Sequence, residues 1–337
     1  MPEGMLLRSG PDWHLDASEI HTFEAFLEDA GIAVADVDPV PISVFLEYAV
    51  WFQAHKGIVV DDRMVRALIR SDDGFVVQLD DETELVAQCV VAAPGNGYFY
   101  HLPDWAATLP DGIGAHTSAT VEFDDADGAR VLIVGGRQSA YEWAALFGDH
   151  GAARVDIVHR HEIPRFERVS WKFVDECVDS TVRVPGWWRS LSRAQQDEIA
   201  ARFWKVGRST LEWWLTPRIA GPRFHRWPGS SVVDTRTLRN GTTAVMLSSG
   251  DRLEVDRVVF ATGYKTDIAR VPYLQTLLPQ ITTIDGFPTL DERFQSSVRG
   301  LYLPGFVSTR DFGPFFGFTK GCPAAATIIV DHLLAHG

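Results

Sequence analysis

The chain has 337 residues, of which 46% are hydrophobic and 23% are charged, and its formal net charge is −14. This composition predicts a globular protein of about two domains. The acidic balance disfavours binding to nucleic acid or to an acidic membrane surface, and we expect neither a signal peptide nor a membrane span. Cys89, Cys177 and Cys322 form neither a CxxC pair nor a zinc cluster. We therefore expect a cytoplasmic protein without a metal site.

Residues 1–130 are predicted to form two helices followed by a meander of short strands. Amphipathic stretches indicate helices over 22–31 and 42–57, and each of them ends at a glycine. Short apolar runs separated by Asp-rich turns predict strands within 57–95, the first of them being GIVVD at 57–61.

A strand, a glycine turn, a helix and a second strand are predicted over 131–160. The run VLIV is continuously apolar, which is typical of a parallel strand buried on both faces. The glycines that follow would let the backbone turn tightly and approach a pyrophosphate, and the free N–H groups of the next helix would face it. A serine adds a hydroxyl donor, and an alanine allows close helix–strand packing. These residues are Gly135, Gly136, Ser139 and Ala140.

The sequence around this turn also indicates which coenzyme would bind. GGRQSA departs from the pattern G-x-G-x-x-G because Arg137 takes the middle position. The second strand leads into His159, Arg160 and His161, where an NAD site usually has an acidic residue for the ribose 2′-hydroxyl. A cation there suits a 2′-phosphate, so we predict NADPH, with Arg160 as a ligand. The alternative is a purely structural turn with Arg160 as a solvated charge.

The middle of the chain is rich in tryptophan. Seven of the eleven tryptophans lie between residues 171 and 227, in a region predicted to be helical. A well-capped helix is expected over 192–207, and STLEWWL at 209–215 is expected to form another. We interpret this block as an insertion that caps the substrate site. Ordinary helix packing is the alternative.

Two apolar strands end in a similar way, and a glycine- and phenylalanine-rich segment precedes the last helix. CVVAAPGNG at 89–97 and RVVFATGYKTD at 257–267 each pass from a small residue into a glycine turn. The segment 305–320 then leads into a helix with Pro323 near its start, where a missing N–H costs little.

Together these segments resemble the flavin-dependent, NADPH-using monooxygenases with two dinucleotide-binding domains, which include the N-hydroxylating enzymes of the ornithine and lysine type. The resemblance implies an α/β fold with two Rossmann-like domains, the first truncated at its N-terminus. Residues 1–125 and 258–337 would form an incomplete FAD-binding domain. Residues 126–257 would form the NADPH-binding domain, with the Trp-rich helical insertion at about 163–230.

The same resemblance implies the cofactors FAD and NADPH, a small-molecule substrate and molecular oxygen, and it leaves open a homo-oligomer. Because the cofactors carry the chemistry, no catalytic acid or base is assigned. The residues expected at NADPH are Gly135, Gly136, Gln138, Ser139, Ala140 and Arg160. Those expected at the flavin or beside it are Arg8, Ser9, Gly263, Gly305, Gly313, Phe315 and Gly317.

In that family an FAD-binding β-α-β unit precedes the segment that resembles MPEGMLLRS. The present sequence starts at this segment, so we expect the polypeptide alone to bind FAD weakly or not at all. A start codon placed too late and a genuine truncation would both explain this. Two other functions remain open, namely a flavin reductase that does not oxygenate and a truncated NAD(P)-binding protein without catalysis.

Overall fold

The computed structural model describes residues 1–336, which form nine α-helices and seventeen strands. The helices are α1 Phe23–Asp29, α2 Ile42–His55, α3 Gln138–Asp149, α4 Phe173–Arg183, α5 Trp187–Ser190, α6 Arg193–Arg208, α7 Leu215–Arg218, α8 Thr309–Phe312 and α9 Gly321–His336. The strands are β1 Val65–Ser71, β2 Gly74–Leu79, β3 Glu84–Ala87, β4 Val90–Val91, β5 Gly114–His116, β6 Arg130–Val134, β7 Arg154–His159, β8 Arg165–Phe166, β9 Thr210–Leu211, β10 Phe224–Pro228, β11 Val232–Thr237, β12 Thr243–Leu247, β13 Arg252–Val255, β14 Arg257–Phe260, β15 Thr283–Ile284, β16 Phe287–Pro288 and β17 Leu301–Tyr302.

The central sheet is parallel and has five strands in the order β10-β7-β6-β14-β5. Helix α3 covers one face, where Tyr141, Ala144 and Phe147 are buried against β6 and β7. The antiparallel sheet β11-β12-β13 covers the other face and buries Leu132 and Phe260. Both faces are thus apolar, as the continuous run VLIV predicts.

The five-stranded sheet takes strands from both sides of the predicted limits of the NADPH-binding domain. One of its two edge strands is Gly114–His116, and Arg257–Phe260 lies between that strand and β6. The domain limits stay a prediction. The strand pairing shows which strands belong to one sheet, but it does not define where one domain ends and the next begins.

The Trp-rich block is the crossover connection between two neighbouring parallel strands, β7 and β10. Its helices α4 and α5 pack against α9 and α8 near the end of the chain. The helix predicted over 192–207 is confirmed as α6, whose N-cap Ser192 forms a capping box with Gln195. The helix predicted over 209–215 is wrong, because β9 pairs with β8 there and α7 starts only at Leu215.

The N-terminal part contains two predicted helices and a predicted meander. Thr22 caps α1, and α1 and α2 share a small core around Phe23 and Tyr48. Strands β1, β2 and β3 form the antiparallel meander. The strand predicted at 57–61 is wrong, since Val59 is 93% exposed and no strand within residues 1–336 pairs with this segment. A short parallel pair, β4 with β17, joins this region to the C-terminal segment.

Candidate coenzyme-binding site

The carboxyl ends of four neighbouring strands meet at one edge of the parallel sheet. Val134 pairs with Val158 and with Phe260, and Phe260 pairs with His116, so the turns after β5, β6, β7 and β14 lie side by side. In open α/β sheets, ligands bind in the crevice outside these carboxyl ends. This edge is therefore the candidate site.

The glycine turn after β6 is tightly enclosed by its neighbours. Gly135 has φ +137°, and a Cβ there would lie 2.3 Å from the carbonyl oxygen of Ala261. A Cβ on Gly136 would lie 2.3 Å from Cγ of His159. Both positions therefore need glycine, for different reasons: a left-handed backbone with a close approach at Gly135, and close packing alone at Gly136.

Helix α3 starts directly after this turn, with Arg137 as its N-cap. Ser139 is exposed, and Ala140 is fully buried against the sheet. The backbone N–H groups of the first turn have no partners within the helix, and the positive end of the helix dipole lies with them. The predicted residues Gly135, Gly136, Ser139 and Ala140 thus lie together at a helix N-terminus that can receive a phosphate.

The side chain of Gln138 ties this helix start to the crossover. Its Oε1 accepts a hydrogen bond from the backbone N–H of Glu212 at 3.0 Å, and its Nε2 donates to Glu142 at 3.1 Å. Glu142 is buried, and its carboxylate also accepts hydrogen bonds from the backbone N–H of Leu6 and from Arg218. Gln138 therefore positions the turn through protein contacts, and its predicted contact with the coenzyme stays a prediction.

The basic cluster after β7 is smaller than its sequence indicates. His159 is buried, its Nδ1 lies 2.7 Å from the carbonyl oxygen of His161, and its Nε2 lies 3.2 Å from the hydroxyl of Tyr141. Burial lowers the pKa of His159, and the nearby charge of Arg137 lowers it further. His159 is thus a neutral packing residue at neutral pH, whereas Arg160 is exposed.

Arg8 and Ser9 line a cleft next to the helix start, which we call the tryptophan cleft. The cleft has a volume of about 270 Å³. The guanidinium of Arg8 lies 2.7 Å from Glu212, donates to the carbonyl of Gly207 at 2.8 Å and lies 5.4 Å from the ring centre of Trp171. The cleft is lined by Leu7, Arg8, Ser9, Gly10, Pro11, Asp12, Trp13, Asp38, Arg168, Val169, Ser170, Trp171, Lys172, Glu212, Trp213 and Trp214.

Gly263 follows β14 at the same sheet edge, with φ +77° and no heavy atom within 4 Å of an added Cβ. Its carbonyl lies 3.1 Å from Nε2 of the buried His116. The backbone N–H of Ser118 donates to Nδ1 of His116, so Nε2 carries the proton and donates to Gly263. His116 thereby fixes the turn at Gly263, and the free space beside the Cα atom of Gly263 allows a ligand to approach the backbone there.

Comparisons with known proteins agree with this arrangement. Residues 25–173 match the family model described as pyridine nucleotide-disulphide oxidoreductase. A stretch of 155 residues is 30% identical to the FAD-dependent urate hydroxylase of Xanthomonas campestris pv. campestris, covering 43% of this chain and 32% of that protein. The chain thus spans about a third of the length of this curated relative.

Solved structures match over almost the whole chain. The ornithine N-hydroxylase of Kutzneria sp. 744 aligns with a TM-score of 0.79 and 17% identity, over 98% of this chain and 88% of that one. The ornithine hydroxylase of Pseudomonas aeruginosa aligns with a TM-score of 0.74 and 20% identity, over 94% and 82%. The L-lysine 6-monooxygenase of Pseudomonas syringae gives a TM-score of 0.74 and 20% identity, over 98% and 87%.

The chain has the two-dinucleotide-domain flavoprotein fold. The predicted α/β fold class and the resemblance on which it rests are confirmed.

Within this flavoprotein fold, the residues predicted at the flavin lie in different surroundings. Gly305 has φ +84° and open space beside its Cα, so a ligand can approach its backbone. A Cβ added at Gly317 would lie 3.2 Å from Thr309 and 3.3 Å from Phe306. A Cβ added at Gly313 would lie 2.5 Å from the ring of Phe315, so protein atoms already occupy the space beside both glycines. Phe315 is 1% exposed and packs edge-on against Trp188, so its ring faces protein. A flavin contact of Phe315 stays a prediction.

Several residues that shape the candidate site carry no signal in the sequence. Glu142, Glu212 and Arg218 build the polar contacts behind α3. Trp204 and Arg208 come from the crossover helix α6 and reach the glycine turn through Arg137. Apart from the contact between Trp204 and Arg208, which are neighbours on α6, these contacts join residues far apart in the sequence, so no local motif could reveal them.

Proposed function

We propose that this protein is an FAD-dependent, NADPH-using oxidoreductase, specifically a monooxygenase that acts on a small molecule with molecular oxygen. The observation that carries the proposal is the sheet edge at which the glycine turn, the start of α3 and the open turn at Gly263 meet. The solved hydroxylases of ornithine and lysine with the same fold support this reaction class.

The residues present fit NADPH. Gly135 and Gly136 keep the turn free of side chains, Ser139 offers an exposed hydroxyl, and the start of α3 offers backbone N–H groups to a pyrophosphate. Arg160 is an exposed cation after β7, where the adenosine ribose of a dinucleotide lies. These residues would hold the coenzyme.

The fit to a flavin rests on fewer residues. Gly305 presents an open backbone turn, and Gly263 presents another across the sheet edge. Gly305 would approach the flavin through its backbone, and Arg8 and Ser9 would form the wall next to the tryptophan cleft. When both cofactors are bound, they supply hydride transfer and oxygen activation, which no side chain provides.

The remaining residues of the site orient groups and exclude water. Arg8 fixes the N-terminal segment on the crossover through Glu212, which closes one side of the tryptophan cleft. Trp13, Trp171 and Trp213 form its apolar walls. We place the substrate in this cleft, whose volume of about 270 Å³ suits a small molecule. We also place the protein in the cytoplasm, since its three cysteines are unpaired.

A flavin reductase that does not oxygenate is the second candidate, and the pyridine nucleotide-disulphide oxidoreductase match favours it. A dithiol mechanism is disfavoured, because Cys89, Cys177 and Cys322 are separate free thiols. The two candidates differ in the fate of molecular oxygen. A monooxygenase transfers one oxygen atom to the substrate and reduces the other to water with the electrons of NADPH, whereas the reductase uses these electrons to reduce oxygen to hydrogen peroxide.

The test follows NADPH oxidation by the purified chain with FAD in excess, in the presence and absence of amines and small heteroaromatic compounds. A monooxygenase consumes NADPH and oxygen in equal amounts and forms a product one oxygen atom heavier, which mass spectrometry detects with ¹⁸O₂. Peroxide as the only product, with every compound, would identify the reductase instead. If the chain binds NADPH but no FAD-dependent oxidation of NADPH is seen, the protein binds the coenzyme without catalysis.

A further inference from the structure

Glu142 is a buried carboxylate on the helix that begins at the glycine turn. It is 1% exposed and lies four residues after Gln138, so both side chains are on the same face of α3. Its two oxygens accept four hydrogen bonds from three different parts of the chain. The donors are the backbone N–H of Leu6 at 3.3 Å, the guanidinium of Arg218 at 2.9 Å, the amide of Gln138 at 3.1 Å and the indole of Trp214 at 3.4 Å.

A second set of contacts joins the same parts of the chain. Oε1 of Gln138 accepts a hydrogen bond from the backbone N–H of Glu212 at 3.0 Å. The carboxylate of Glu212 lies 2.7 Å from the guanidinium of Arg8, which also donates to the carbonyl of Gly207 at 2.8 Å. Helix α3, the N-terminal segment and the crossover are therefore joined by polar contacts of buried and half-buried side chains.

The partners of Gln138 and Glu142 lie at the walls of the tryptophan cleft. Residues 7–13, which Leu6 directly precedes, form one part of its lining, and residues 212–214 form another. Residues 212–214 connect β9, which has two residues, with α7, which has four. Such short elements contribute few backbone hydrogen bonds, so the orientation of this wall depends on its contacts with the two side chains of α3.

Stability alone does not explain a carboxylate at position 142. Removing a carboxylate from water is costly, and its pairing with Arg218 serves mainly to offset that cost. A well-packed apolar residue of similar size is often at least as stabilising in such a place. What the carboxylate adds is direction, because its hydrogen bonds fix where Leu6 and Trp214 lie relative to the helix.

We propose that Glu142 is a positioning residue that couples the coenzyme edge of the sheet to the tryptophan cleft. This inference rests on the proposed function, because it requires a dinucleotide at the glycine turn. A pyrophosphate bound to the N–H groups of α3 fixes the start of this helix. Glu142 then holds Leu6 and Trp214, and Gln138 holds Glu212, in one arrangement.

The coupling acts in both directions. Coenzyme binding orders the cleft wall, and by thermodynamic reciprocity a ligand in the cleft strengthens coenzyme binding. Glu142 is buried behind the start of the helix, so it acts only through its protein partners.

Hydrogen exchange of backbone amides tests this coupling, with NADP⁺ as the probe. Exchange is followed by mass spectrometry with and without NADP⁺, at a saturating concentration set by calorimetry. We expect NADP⁺ to slow exchange about fivefold or more at the amides of Leu6 and Glu212, as well as at the start of α3. A merely structural role would alter exchange equally with and without nucleotide, so the NADP⁺-dependent difference is the quantity to compare.

The variants separate the contributions of the two side chains. Gln138→Ala removes the acceptor for the N–H of Glu212, so the NADP⁺-dependent protection should be lost at Glu212 and kept at Leu6. Glu142→Met removes both acceptor oxygens without leaving a charge, so the protection should be lost at Leu6 and reduced at Glu212. It should remain at the start of α3. Glu142→Gln keeps one acceptor oxygen and should retain part of the effect at Leu6.

Asp149→Ala is the matched control. Asp149 is the last residue of α3 and lies 2.7 Å from the same guanidinium of Arg218, at the end of the helix away from the glycine turn. This variant also removes a carboxylate from α3 and a partner from Arg218. The NADP⁺-dependent protection at Leu6 and Glu212 should nevertheless equal that of the wild type.

Other outcomes would overturn the proposal. Protection limited to the start of α3 in the wild type would show that the cleft wall does not respond to the coenzyme. Wild-type protection at Leu6 in Glu142→Met would exclude Glu142 from the coupling. If circular dichroism shows that Glu142→Met is unfolded, the same comparison is made with Glu142→Gln and Gln138→Ala. Folded wild-type protein that binds no NADP⁺ in calorimetry would contradict the proposed function itself.

Discussion

Gly136 packs directly against the imidazole of His159, so that the glycine turn and the end of the neighbouring strand form one rigid corner. A Cβ at residue 136 would lie 2.3 Å from Cγ of His159 and 2.6 Å from its Cβ. His159 cannot move away freely, since its ring nitrogens contact the carbonyl of His161 and the hydroxyl of Tyr141. The helix start and the predicted ribose position are therefore held in a fixed relation.

This corner predicts the effect of one methyl group. Gly136→Ala forces the turn or the ring to shift, and we expect the free energy of unfolding to fall by about 1–3 kcal/mol. NADP⁺ binding should weaken at the same time. Gly97→Ala is the control, because no heavy atom lies within 4 Å of its added Cβ. Urea denaturation and calorimetry measure both effects. A tolerated methyl group at 136, with binding unchanged, would show that the corner is not rigid.

The pair Arg8–Glu212 predicts a pH-dependent defect. Burial raises the pKa of Glu212, and the charge of Arg8 opposes this rise. In Arg8→Met the carboxylate stays buried without its partner, so we expect a loss of about 3 kcal/mol in the free energy of unfolding near pH 8. A group with a raised pKa in the folded state binds more protons when folded, so the loss should shrink toward about pH 5.

Two further variants make this test specific. Arg8→Met with Glu212→Gln removes the unpaired charge, and it should recover part of the stability near pH 8. Arg193→Met is the control, because its exposed pair with Asp197 on α6 should contribute less than about 0.5 kcal/mol. Urea denaturation at both pH values measures these differences. A defect of Arg8→Met that is independent of pH would mean that packing on Trp171, and not the charge, is what stabilises the segment.

Asp16 predicts the opposite dependence on pH. Its carboxylate is 2% exposed, lies 2.6 Å from Nζ of Lys56 and accepts a hydrogen bond from the backbone N–H of His21 at 2.8 Å. Burial alone would raise the pKa of Asp16, but Lys56 and the backbone N–H groups of His21 and Ser18 outweigh it and hold the pKa well below its usual value. The stability that Asp16 contributes is therefore present above about pH 4 and lost as the pH falls below it.

Asp16→Asn should thus cost about 2–4 kcal/mol near neutral pH. The difference from wild type should narrow as the pH falls below about 4, because Asp16 of the unfolded wild-type chain is then protonated while the folded chain still keeps the carboxylate ionised. Glu28→Gln, an exposed position on α1, serves as the control and should stay within about 0.5 kcal/mol at all pH values. A constant difference between pH 7 and pH 3 would contradict the assignment of the low pKa to Asp16.

Local signals predicted the parts of the fold that local interactions determine. The glycine turn between VLIV and α3 depends on backbone geometry within a few residues. The start of α6 is marked by Ser192, which forms a capping box with Gln195. The meander follows from alternating apolar runs with turn residues between them. These elements need no distant partner to be recognised.

Elements that depend on distant partners were predicted poorly. The apolar run at 57–61 resembles a strand, but no strand in the described part of the chain pairs with it. The sequence did not indicate the strand Phe224–Pro228, which lies in the Trp-rich block. Its parallel pairing with β7 shows that the block is a crossover connection. The contact of Arg137 with Trp204 joins residues far apart in the sequence. Sequence patterns carry no information about such pairings unless a motif encodes them.

The central claim is that the edge formed by the glycine turn, α3 and the end of β7 binds NADPH. A crystal structure of the chain with NADP⁺ tests it most directly. We predict that the pyrophosphate lies against the backbone N–H groups at the start of α3, with the ribose beside the end of β7. A nucleotide bound elsewhere on the molecule, or a pyrophosphate away from Gly135 and Gly136, would contradict the account.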